Sequence, residues 1–317
     1  MNESTSVRLH AFGGPEVLRV EPVPIPQAQD DEALVRVAAA SINPVDYKTR
    51  AGEFPPVSED KLPVVLGRDL AGTIEAVGTR AHYMLRKGDP VFAFIDFDRG
   101  GQSDYVVVKA MELVAAPRSI DLVHAAAVPL AGMTAWQGLF DHGRLEAGQR
   151  VLIHGGAGGV GHLAIQFAKA KGATVFTTAG ADDLDYVRSI GADTAIDYKG
   201  ERFEDVATDI DLVFDLVGGE TQDRSFAVLR EGGTLVSTLG VADPDKGKER
   251  NIRVPERWLA QTNPKQLGEI ARLIDAGTVK VAVAETFSVD DARAAYERVE
   301  KGHVRGKIVL TFQPQSD

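Results

Sequence analysis

Cysteine is absent from this chain of 317 residues. Its absence excludes disulfides, thiol catalysis and zinc sites built on thiolates. No apolar run is long enough to span a bilayer, and the first ten residues have no apolar segment of the kind that a signal peptide needs. These absences fit a reducing compartment, and we expect a cytoplasmic protein.

Basic residues are also fewer than acidic residues. The chain has 35 Lys and Arg against 46 Asp and Glu, a net charge of −11. That balance argues against a nucleic acid or an anionic membrane as the main partner, because both attract basic surfaces. The hydrophobic content of 44% is ordinary for a globular protein, and the length suggests about two domains. We therefore expect a small molecule as the partner.

A glycine-rich stretch stands out within residues 150–172. The apolar run 151–153 predicts a strand, and apolar spacings of three and four after residue 160 predict a helix. Between them lies Gly156-x-Gly158-x-x-Gly161, the spacing of a dinucleotide-binding turn. The first glycine permits the turn, the second admits the pyrophosphate and the third allows close helix packing. A mere strand–helix turn is the alternative, but the context on both sides favours the dinucleotide site.

The two parts of the chain differ in their patterns. Up to about residue 121, short strands alternate with turns, which predicts a partly open barrel or a sandwich. Beyond it, strands and helices alternate, which predicts a parallel sheet. We expect Pro22, Pro24 and Pro26 to break the early strands. Pro129 and Gly132 should interrupt a helix. The stretch 279–283 should form a strand. Residues 220–229 should form a helix and 243–250 a charged loop.

The polar stretch 38–52 has several groups that could take part in chemistry. Pro44 disfavours helical geometry at Asn43, so a short helix should begin just after it. Asp46, Tyr47 and Lys48 would project from its first turns. A capped surface helix with one snorkelling lysine is the alternative interpretation.

Seven motifs in this order resemble the medium-chain dehydrogenase/reductase superfamily. Within it, the chain is similar to the zinc-independent quinone oxidoreductase group, with its zeta-crystallin-like and enone reductase members. The motifs are N-P-V-D-Y-K at 43–48, L-G-R-D-L-A-G at 66–72, A-G-M-T-A at 131–135, H-G-G-A-G-G-V-G at 154–161, G-A-D-x-x-I-D-Y at 191–198, D-L-V-G-G at 215–219 and G-H-V-R-G-K at 302–307. The resemblance covers essentially the whole chain.

The resemblance implies an α/β protein of two domains. A GroES-like, β-rich catalytic domain would comprise residues 1–125 and 277–317. A Rossmann domain with a doubly wound parallel sheet would comprise 126–276. The active site of the family lies in the cleft between these domains, and its members imply a homodimer.

The chain departs from the zinc alcohol dehydrogenases at their metal ligands. They have a ligand cysteine where this chain has Ser41, Ile42 and Asn43, and Gly-His-Glu where it has Gly67, Arg68 and Asp69. Without a Lewis acid, a substrate alcohol does not readily become an alkoxide. We therefore expect no metal and no alcohol oxidation, since hydride addition to an electron-poor carbon needs neither.

The resemblance implies NADPH as the cofactor. An NAD-specific turn would end the second strand with a carboxylate, but residues 177–180 have none. The family's tyrosine for the 2′-phosphate is Tyr198, which could otherwise be an aromatic residue at the sheet edge. Gly180 stands where relatives have the serine, and residues 181–183 (Ala181, Asp182 and Asp183) stand where they often have basic or amide residues. Thr178 and Tyr198, with Lys199 or Arg188, would therefore have to hold the phosphate. The expected cofactor contacts are Asn43, Thr134, Gly156, Ala157, Gly158, Gly159, Val160, Thr178, Tyr198, Val217, Leu239 and Lys307.

The predicted function is transfer of a hydride from NADPH to quinones or α,β-unsaturated carbonyl compounds. Asn43 would contact the nicotinamide ribose, while Tyr47 and Lys48 would polarise the substrate carbonyl or relay a proton. The alternative is a non-catalytic NADPH-binding protein of the crystallin kind. The motif at 43–48 favours the enzyme, since a binding protein needs only the glycine turn.

Overall fold

The computed structural model describes residues 3–54 and 56–312, so Met1 and Asn2 of the N-terminal stretch considered above lie outside it. The described residues form fifteen strands and eight α-helices. The strands are β1 (Glu3–Leu9), β2 (Leu18–Pro24), β3 (Glu32–Ile42), β4 (Val64–Val65), β5 (Asp69–Val77), β6 (Pro90–Phe94), β7 (Tyr105–Lys109), β8 (Val114–Ala115), β9 (Arg150–His154), β10 (Thr174–Ala179), β11 (Thr194–Asp197), β12 (Ile210–Asp215), β13 (Leu229–Ser237), β14 (Val283–Ser288) and β15 (Lys307–Thr311). The helices are α1 (Pro44–Arg50), α2 (Leu122–Ala126), α3 (Pro129–Trp136), α4 (Gly161–Lys171), α5 (Leu184–Ser189), α6 (Gly219–Ser225), α7 (Pro264–Asp275) and α8 (Ala292–Glu300).

The chain divides into two compact units. The first contains the described parts of Met1–Leu130, Thr262–Asp275 and Val281–Asp317. The second contains Ala131–Gln261 and Ala276–Lys280. The predicted second domain, residues 126–276, includes α7, whereas α7 belongs to the first of these compact units. The apolar face of α7 includes Leu267 and Ile274, both buried.

The first unit is built on strand β3. With eleven residues it is the longest of the described strands, and Ala33, Val35, Val37, Ala40 and Ile42 all lie in one core. In the larger sheet the strand order is β14-β15-β3-β5-β6-β8, and β7 also pairs with β3. Strand β15 pairs with the end of β3, with Ile308 opposite Ile42, and β5 lies on its other side. A second sheet has the order β2-β1-β4. This is the β-rich architecture predicted for the N-terminal part.

The second unit is a parallel sheet with the order β11-β10-β9-β12-β13. Every neighbouring pair in it is parallel. The three residues 151–153 of β9 are fully buried, as expected for a central strand with both faces covered. The chain leaves β9 toward β10 on one side and later returns to β12 on the other. The order therefore reverses beside β9, and ligands of such sheets bind where this reversal occurs.

The prediction that prolines break the early strands was wrong for Pro22 and Pro24. Both lie in β2, opposite Thr5 and Glu3 of β1. Strand β2 is at the edge of its sheet, so every second residue points its backbone nitrogen away from the partner. The two prolines are two residues apart and share that alternation, which explains why the strand tolerates them.

Other local predictions also need correction. Gly132 lies inside α3 and does not interrupt it, while Pro129 starts that helix as an N-terminal proline does. The strand expected at 279–283 begins only at Val283. Residues 244–250 form a 3₁₀ helix rather than a loop. Helix α6 ends at Ser225, before the predicted residue 229.

Of the described helices, none combines the length and the apolar character that crossing a membrane requires.

Candidate active and cofactor-binding sites

The glycine turn joins β9 to α4 in the second unit. Gly155 has φ +76°, a conformation that glycine adopts without strain. A Cβ on Gly156 would collide with Thr177 Oγ1, and one on Gly161 would collide with the carbonyl oxygen of Gly155. Gly158 differs, because a Cβ there would meet only Gly155 O, at 3.4 Å. Two glycines are thus needed for packing, while the middle one borders open space.

Helix α4 begins without a side-chain cap at Val160. The unsatisfied amides and the dipole of a helix N-terminus attract anions. The turn therefore has the features that a pyrophosphate requires: room beside Gly158 and an uncapped helix start after it. These residues fit a dinucleotide cofactor.

Three apolar side chains near this turn are unusually exposed. Tyr198 is 49% exposed, Val217 51% and Leu239 43%. They follow the carboxyl ends of β11, β12 and β13, the edge of the sheet where the turn also lies. The turn approaches one of them, since a Cβ on Gly155 would be 3.5 Å from Val217 Cγ2. The second unit therefore brings together most of the predicted cofactor contacts.

A buried carboxylate fixes two of these exposed residues. Asp215 Oδ1 accepts the backbone N–H groups of Val217, at 3.0 Å, and Gly218, at 2.9 Å. Its Oδ2 accepts the hydroxyl of Ser237, at 2.9 Å, and that hydroxyl in turn accepts the N–H of Leu239, at 3.1 Å. Asp215 and Ser237 were not predicted as site residues. The sequence signal that could have identified Asp215 is its place as the first residue of the motif at 215–219.

Thr178 lies within the turn's own hydrogen-bond network. Its buried hydroxyl accepts the N–H of Gly155, at 3.2 Å, and lies 3.1 Å from His154 Nδ1. His154 Nε2 is 2.9 Å from Ser225 Oγ, and burial lowers the pKa of His154 to about 4, so the ring stays neutral. Thr178 supports the turn in this way, and its direct contact with a cofactor stays a prediction.

The region predicted for the 2′-phosphate is mixed in charge. Lys199 Nζ lies 5.7 Å from the centre of the Tyr198 ring, and a Cβ on Gly180 would be 3.8 Å from that ring. Arg188 pairs with Asp185 at 3.0 Å on the surface of α5, and no contact of it with Tyr198 or Gly180 is seen among the described residues. Asp182 is exposed on the short 3₁₀ helix that follows Gly180. Lys199 is therefore the better placed of the two predicted cations.

In the first unit, Asn43 follows β3 directly and precedes α1. Its side-chain Nδ2 donates to Asp69 Oδ2 at 2.8 Å, and its Oδ1 accepts from Lys307 Nζ at 2.5 Å. Ser41 Oγ also donates to Asp69 Oδ2, at 2.5 Å. All four side chains are buried. We call Ser41, Asn43, Asp69 and Lys307 the Asn43 network; the structure places the predicted residues Asn43 and Lys307 in direct contact.

Burial controls the protonation of the acidic groups around Asn43. Desolvation raises the pKa of Asp46 to about 7, although its Oδ2 accepts the backbone N–H of Asn43 at 2.8 Å. Burial also raises the pKa of Asp69 and lowers that of Lys307, and each of these two charges opposes the shift of the other. Two carboxylates and two cations, Lys307 and Arg68, thus share a desolvated region.

Tyr47 and Lys48 lie on α1, as predicted, and both are half-buried. Burial and the negative charges of Glu300 and Glu53 raise the pKa of Tyr47 above its usual value. Its hydroxyl therefore stays protonated at neutral pH and can donate a hydrogen bond. The Tyr47 ring also packs against the core of the first unit, so the residue has a structural role as well.

Arg68 occupies the place of a zinc-ligand histidine in the zinc alcohol dehydrogenases. Its Nε donates to Ile95 O at 2.7 Å, and its guanidinium lies 3.3 Å from the centre of the Phe97 ring. Burial lowers its pKa to about 10, so it remains a cation. Within residues 3–54 and 56–312, no cluster of three or more His, Asp or Glu could hold a metal ion.

Sequence reasoning missed the roles of Ser41, Asp46 and Asp69. The signal for Asp69 was present, because a carboxylate at the start of an apolar strand must be paired when it is buried. Its hydrogen-bond partners come from 26 to 61 residues away, which no local pattern reveals.

Thr134, a predicted cofactor contact, lies half-buried on α3 in the second unit.

Comparisons with known proteins agree with this architecture. The family model described as "Alcohol dehydrogenase GroES-like domain" matches residues 29–118, and the one described as "Zinc-binding dehydrogenase" matches 190–310. The chain is 36% identical over 311 residues to the chloroplastic NADPH-dependent alkenal/one oxidoreductase of Arabidopsis thaliana, covering 94% of this chain and 77% of that relative.

Solved structures give the same result. The quinone oxidoreductase from Coxiella burnetii superposes with a TM-score of 0.89 at 33% identity, covering 98% of this chain and 100% of that one. The Escherichia coli quinone oxidoreductase, solved in complex with NADPH, superposes with a TM-score of 0.85 at 28% identity, covering 97% and 100%. The similarity therefore extends over both compact units.

Proposed function

Because the chain belongs to the zinc-independent quinone oxidoreductase group of the medium-chain dehydrogenase/reductase superfamily, we propose that it is an NADPH-dependent oxidoreductase. Its substrates are quinones or α,β-unsaturated carbonyl compounds, and the reaction uses no metal ion. The similarity to the Arabidopsis alkenal/one oxidoreductase and to the two quinone oxidoreductases supports this choice of substrate class.

The observation that carries the proposal is the turn at Gly158. Gly156 and Gly161 are required by packing, whereas Gly158 borders open space next to an uncapped helix. The backbone around residues 157–160 would hold the pyrophosphate, and Val217 and Leu239 would border the nicotinamide end. Tyr198 and Lys199 would hold the 2′-phosphate.

NADPH supplies the hydride when bound. The chain's own part is to hold the substrate carbonyl oxygen, where negative charge develops as the hydride arrives. A donor fixed in advance at that oxygen stabilises the transition state more than the ground state. The Tyr47 hydroxyl and the Lys48 ammonium are the proposed donors, and Asn43 is the proposed contact for the nicotinamide ribose.

The test is oxidation of NADPH with 1,4-benzoquinone, acrolein and a simple enone as acceptors. We expect NADPH-dependent reduction of at least one of them. Binding of NADPH, measured by quenching of protein fluorescence, without turnover of any acceptor would favour the non-catalytic binding protein instead.

We also propose a homodimer. Strand β13 is the edge of the parallel sheet, and in the described chain its free side is bridged at Thr234 by Arg253. The rest of that edge, near residues 236–237, offers backbone groups for pairing with a second copy. Residues 281–283 offer less for such pairing, because only Val283 of the three is in a strand. Light scattering should give twice the 34.0 kDa chain mass; a monomer at micromolar concentration would contradict the dimer.

The cytoplasmic location is likewise a proposal. A chain without cysteine suits a reducing compartment. The Arabidopsis relative is chloroplastic, so organelles are the competing locations. Fractionation of the source cells, followed by immunoblotting, distinguishes them.

A further inference from the structure

Asn43 is held by opposite charges on its two amide atoms. Lys307 Nζ, which only donates, lies 2.5 Å from Oδ1, and Asp69 Oδ2 lies 2.8 Å from Nδ2. An ammonium has no lone pair to accept from an NH₂ group, and an ionised carboxylate has no proton to give to a carbonyl. Rotating the amide by half a turn would therefore replace two charge-assisted hydrogen bonds with two repulsions. The network specifies a single orientation of Asn43.

Both charged partners are anchored by further hydrogen bonds. Lys307 Nζ also donates to the carbonyl oxygen of Ile42 at 2.9 Å. Asp69 accepts from Ser41 Oγ at 2.5 Å and from the backbone N–H of Leu130 at 2.5 Å. Every one of its partners is a donor, as an ionised carboxylate requires. These bonds hold both partners in their positions around the amide.

The sheet explains how these groups meet. Asn43 comes immediately after β3, the central strand, and the two strands beside it each begin with one charge. Lys307 starts β15 next to the pair Ile308–Ile42, and Asp69 starts β5 on the opposite side. The cation and the anion therefore approach Asn43 from its two sides.

We propose that Lys307 and Asp69 are positioning residues that fix the Asn43 amide for its contact with the cofactor. Each amide atom has one hydrogen-bonding position besides those used by Lys307 and Asp69: a second lone pair on Oδ1 and a second N–H on Nδ2. Among the described residues, that N–H makes one further contact, a long one of 3.4 Å to Ser41 Oγ. The fixed orientation presents an acceptor and a donor in a set order to the ribose hydroxyls. This inference rests on the proposed function and reassigns Lys307 from a direct cofactor contact to a residue that acts through Asn43.

The competing explanation is that Lys307 and Asp69 form a charge pair that only stabilises the fold. Removing one charge, and then both charges together, distinguishes this structural role from the positioning role. Lys307→Met alone leaves the Asp69 carboxylate buried without its counter-charge, so it should destabilise the fold. The double variant Lys307→Met/Asp69→Asn removes both charges and should recover most of the lost thermal stability. A structural role predicts that activity recovers with it. A positioning role predicts a stable protein whose kcat stays at least tenfold low.

The orientation itself is measured by NMR of the Asn43 side-chain amide, identified by its loss in Asn43→Ala. We expect separate, slowly exchanging NH₂ signals in the wild-type protein, and shifted, faster-exchanging signals in the double variant. The control Arg298→Met/Glu285→Gln removes an ion pair of 2.6 Å elsewhere in the first unit. It should change neither the amide signals nor kcat.

Unchanged amide signals in the double variant would overturn the proposal, and so would changed signals with wild-type kcat and KM. Changed signals, recovered stability and low kcat together would support it. The NMR measurement needs no cofactor, so it reports on the orientation separately. A wild-type protein that does not bind NADPH would refute the proposed function itself, even if the amide proved to be fixed.

Discussion

A side chain at Gly158 would enter space that the turn itself leaves open, because its Cβ would have one neighbour, at 3.4 Å. Gly158→Val should therefore fold normally and yet raise the dissociation constant for NADPH at least tenfold, since the isopropyl group blocks the approach of the pyrophosphate. Titration by fluorescence quenching measures this. Gly268→Val in α7, where the Cβ would also have a single neighbour, at 3.8 Å, is the matched control. An unchanged constant in the Gly158 variant would refute the turn's assignment.

Tyr47 and Lys48 are tested by comparing two substrates. Loss of one donor at a developing oxyanion costs about a hundred- to a thousandfold in turnover. Quinones accept hydride readily, so Tyr47→Phe and Lys48→Ala should lower enone turnover more than quinone turnover while NADPH binding stays nearly unchanged.

Steady-state kinetics on one enone and one quinone give the answer. Tyr83→Phe, at a side chain that is 85% exposed, is the control for loss of a hydroxyl. Wild-type enone turnover in both variants would mean that the two residues have a structural role and do not donate to the substrate oxygen.

Asp46 makes stability depend on pH. Its pKa rises from 3.8 to about 7 on folding, because burial disfavours the charged carboxylate. The folded protein therefore holds a proton that the unfolded chain has released. The stability that this proton contributes is complete below the unfolded value and is lost as the pH rises through about 7.

Asp46→Asn removes this dependence and keeps an oxygen that can accept from the Asn43 backbone. The free energy of unfolding of the variant, relative to wild type, should be higher at pH 8 than at pH 5 by about 2–3 kcal/mol. Urea unfolding at both pH values measures the difference. An identical difference at the two pH values would show that Asp46 is ionised throughout.

At the scale of elements, the packing of α4 on the turn after β9 depends on Gly161. A Cβ at that position would collide with the carbonyl oxygen of Gly155. Gly161→Ala should therefore lower the free energy of unfolding by about 1–3 kcal/mol, the usual cost of forcing an extra methyl group into a packed contact. Thermal unfolding beside Gly158→Ala is the measurement. Equal stability of the two variants would contradict the division between packing and binding glycines.

Periodic patterns predicted the elements well, and tertiary contacts decided the exceptions. The strand–turn–helix around Gly158 could be found from the sequence because its signals are local. Strand β2 tolerates Pro22 because it is an edge strand, paired with β1 on one side only. Whether a strand lies at an edge is set by tertiary contacts and cannot be read from its own sequence. The Asn43 network could not be predicted either, because it also depends on tertiary contacts. Lys307 is 264 residues from Asn43 in the chain.

For the whole molecule, the expected independence from metal can be tested directly. The chain has no cysteine, and Asn43 and Arg68 stand where zinc dehydrogenases have ligands. Arg68 is a buried cation, which repels a metal ion. Prolonged dialysis against EDTA should leave NADPH oxidation unchanged. Loss of activity that zinc restores would contradict the metal-free mechanism.

The pairing of β15 with β3 has a consequence for the order of events during synthesis. Ile308 lies opposite Ile42, so the central sheet of the first unit stays incomplete until nearly all of the described chain has left the ribosome. The parallel sheet needs only strands between Arg150 and Ser237, all of which emerge earlier. Because domains fold as units when their segments become available, the parallel sheet of the second unit should form first. Strand β7 covers residues 32–36 of β3 early, but residues 39–42 have no partner on that side until β15 emerges. In that interval the exposed end of β3 can pair with other chains, which favours aggregation.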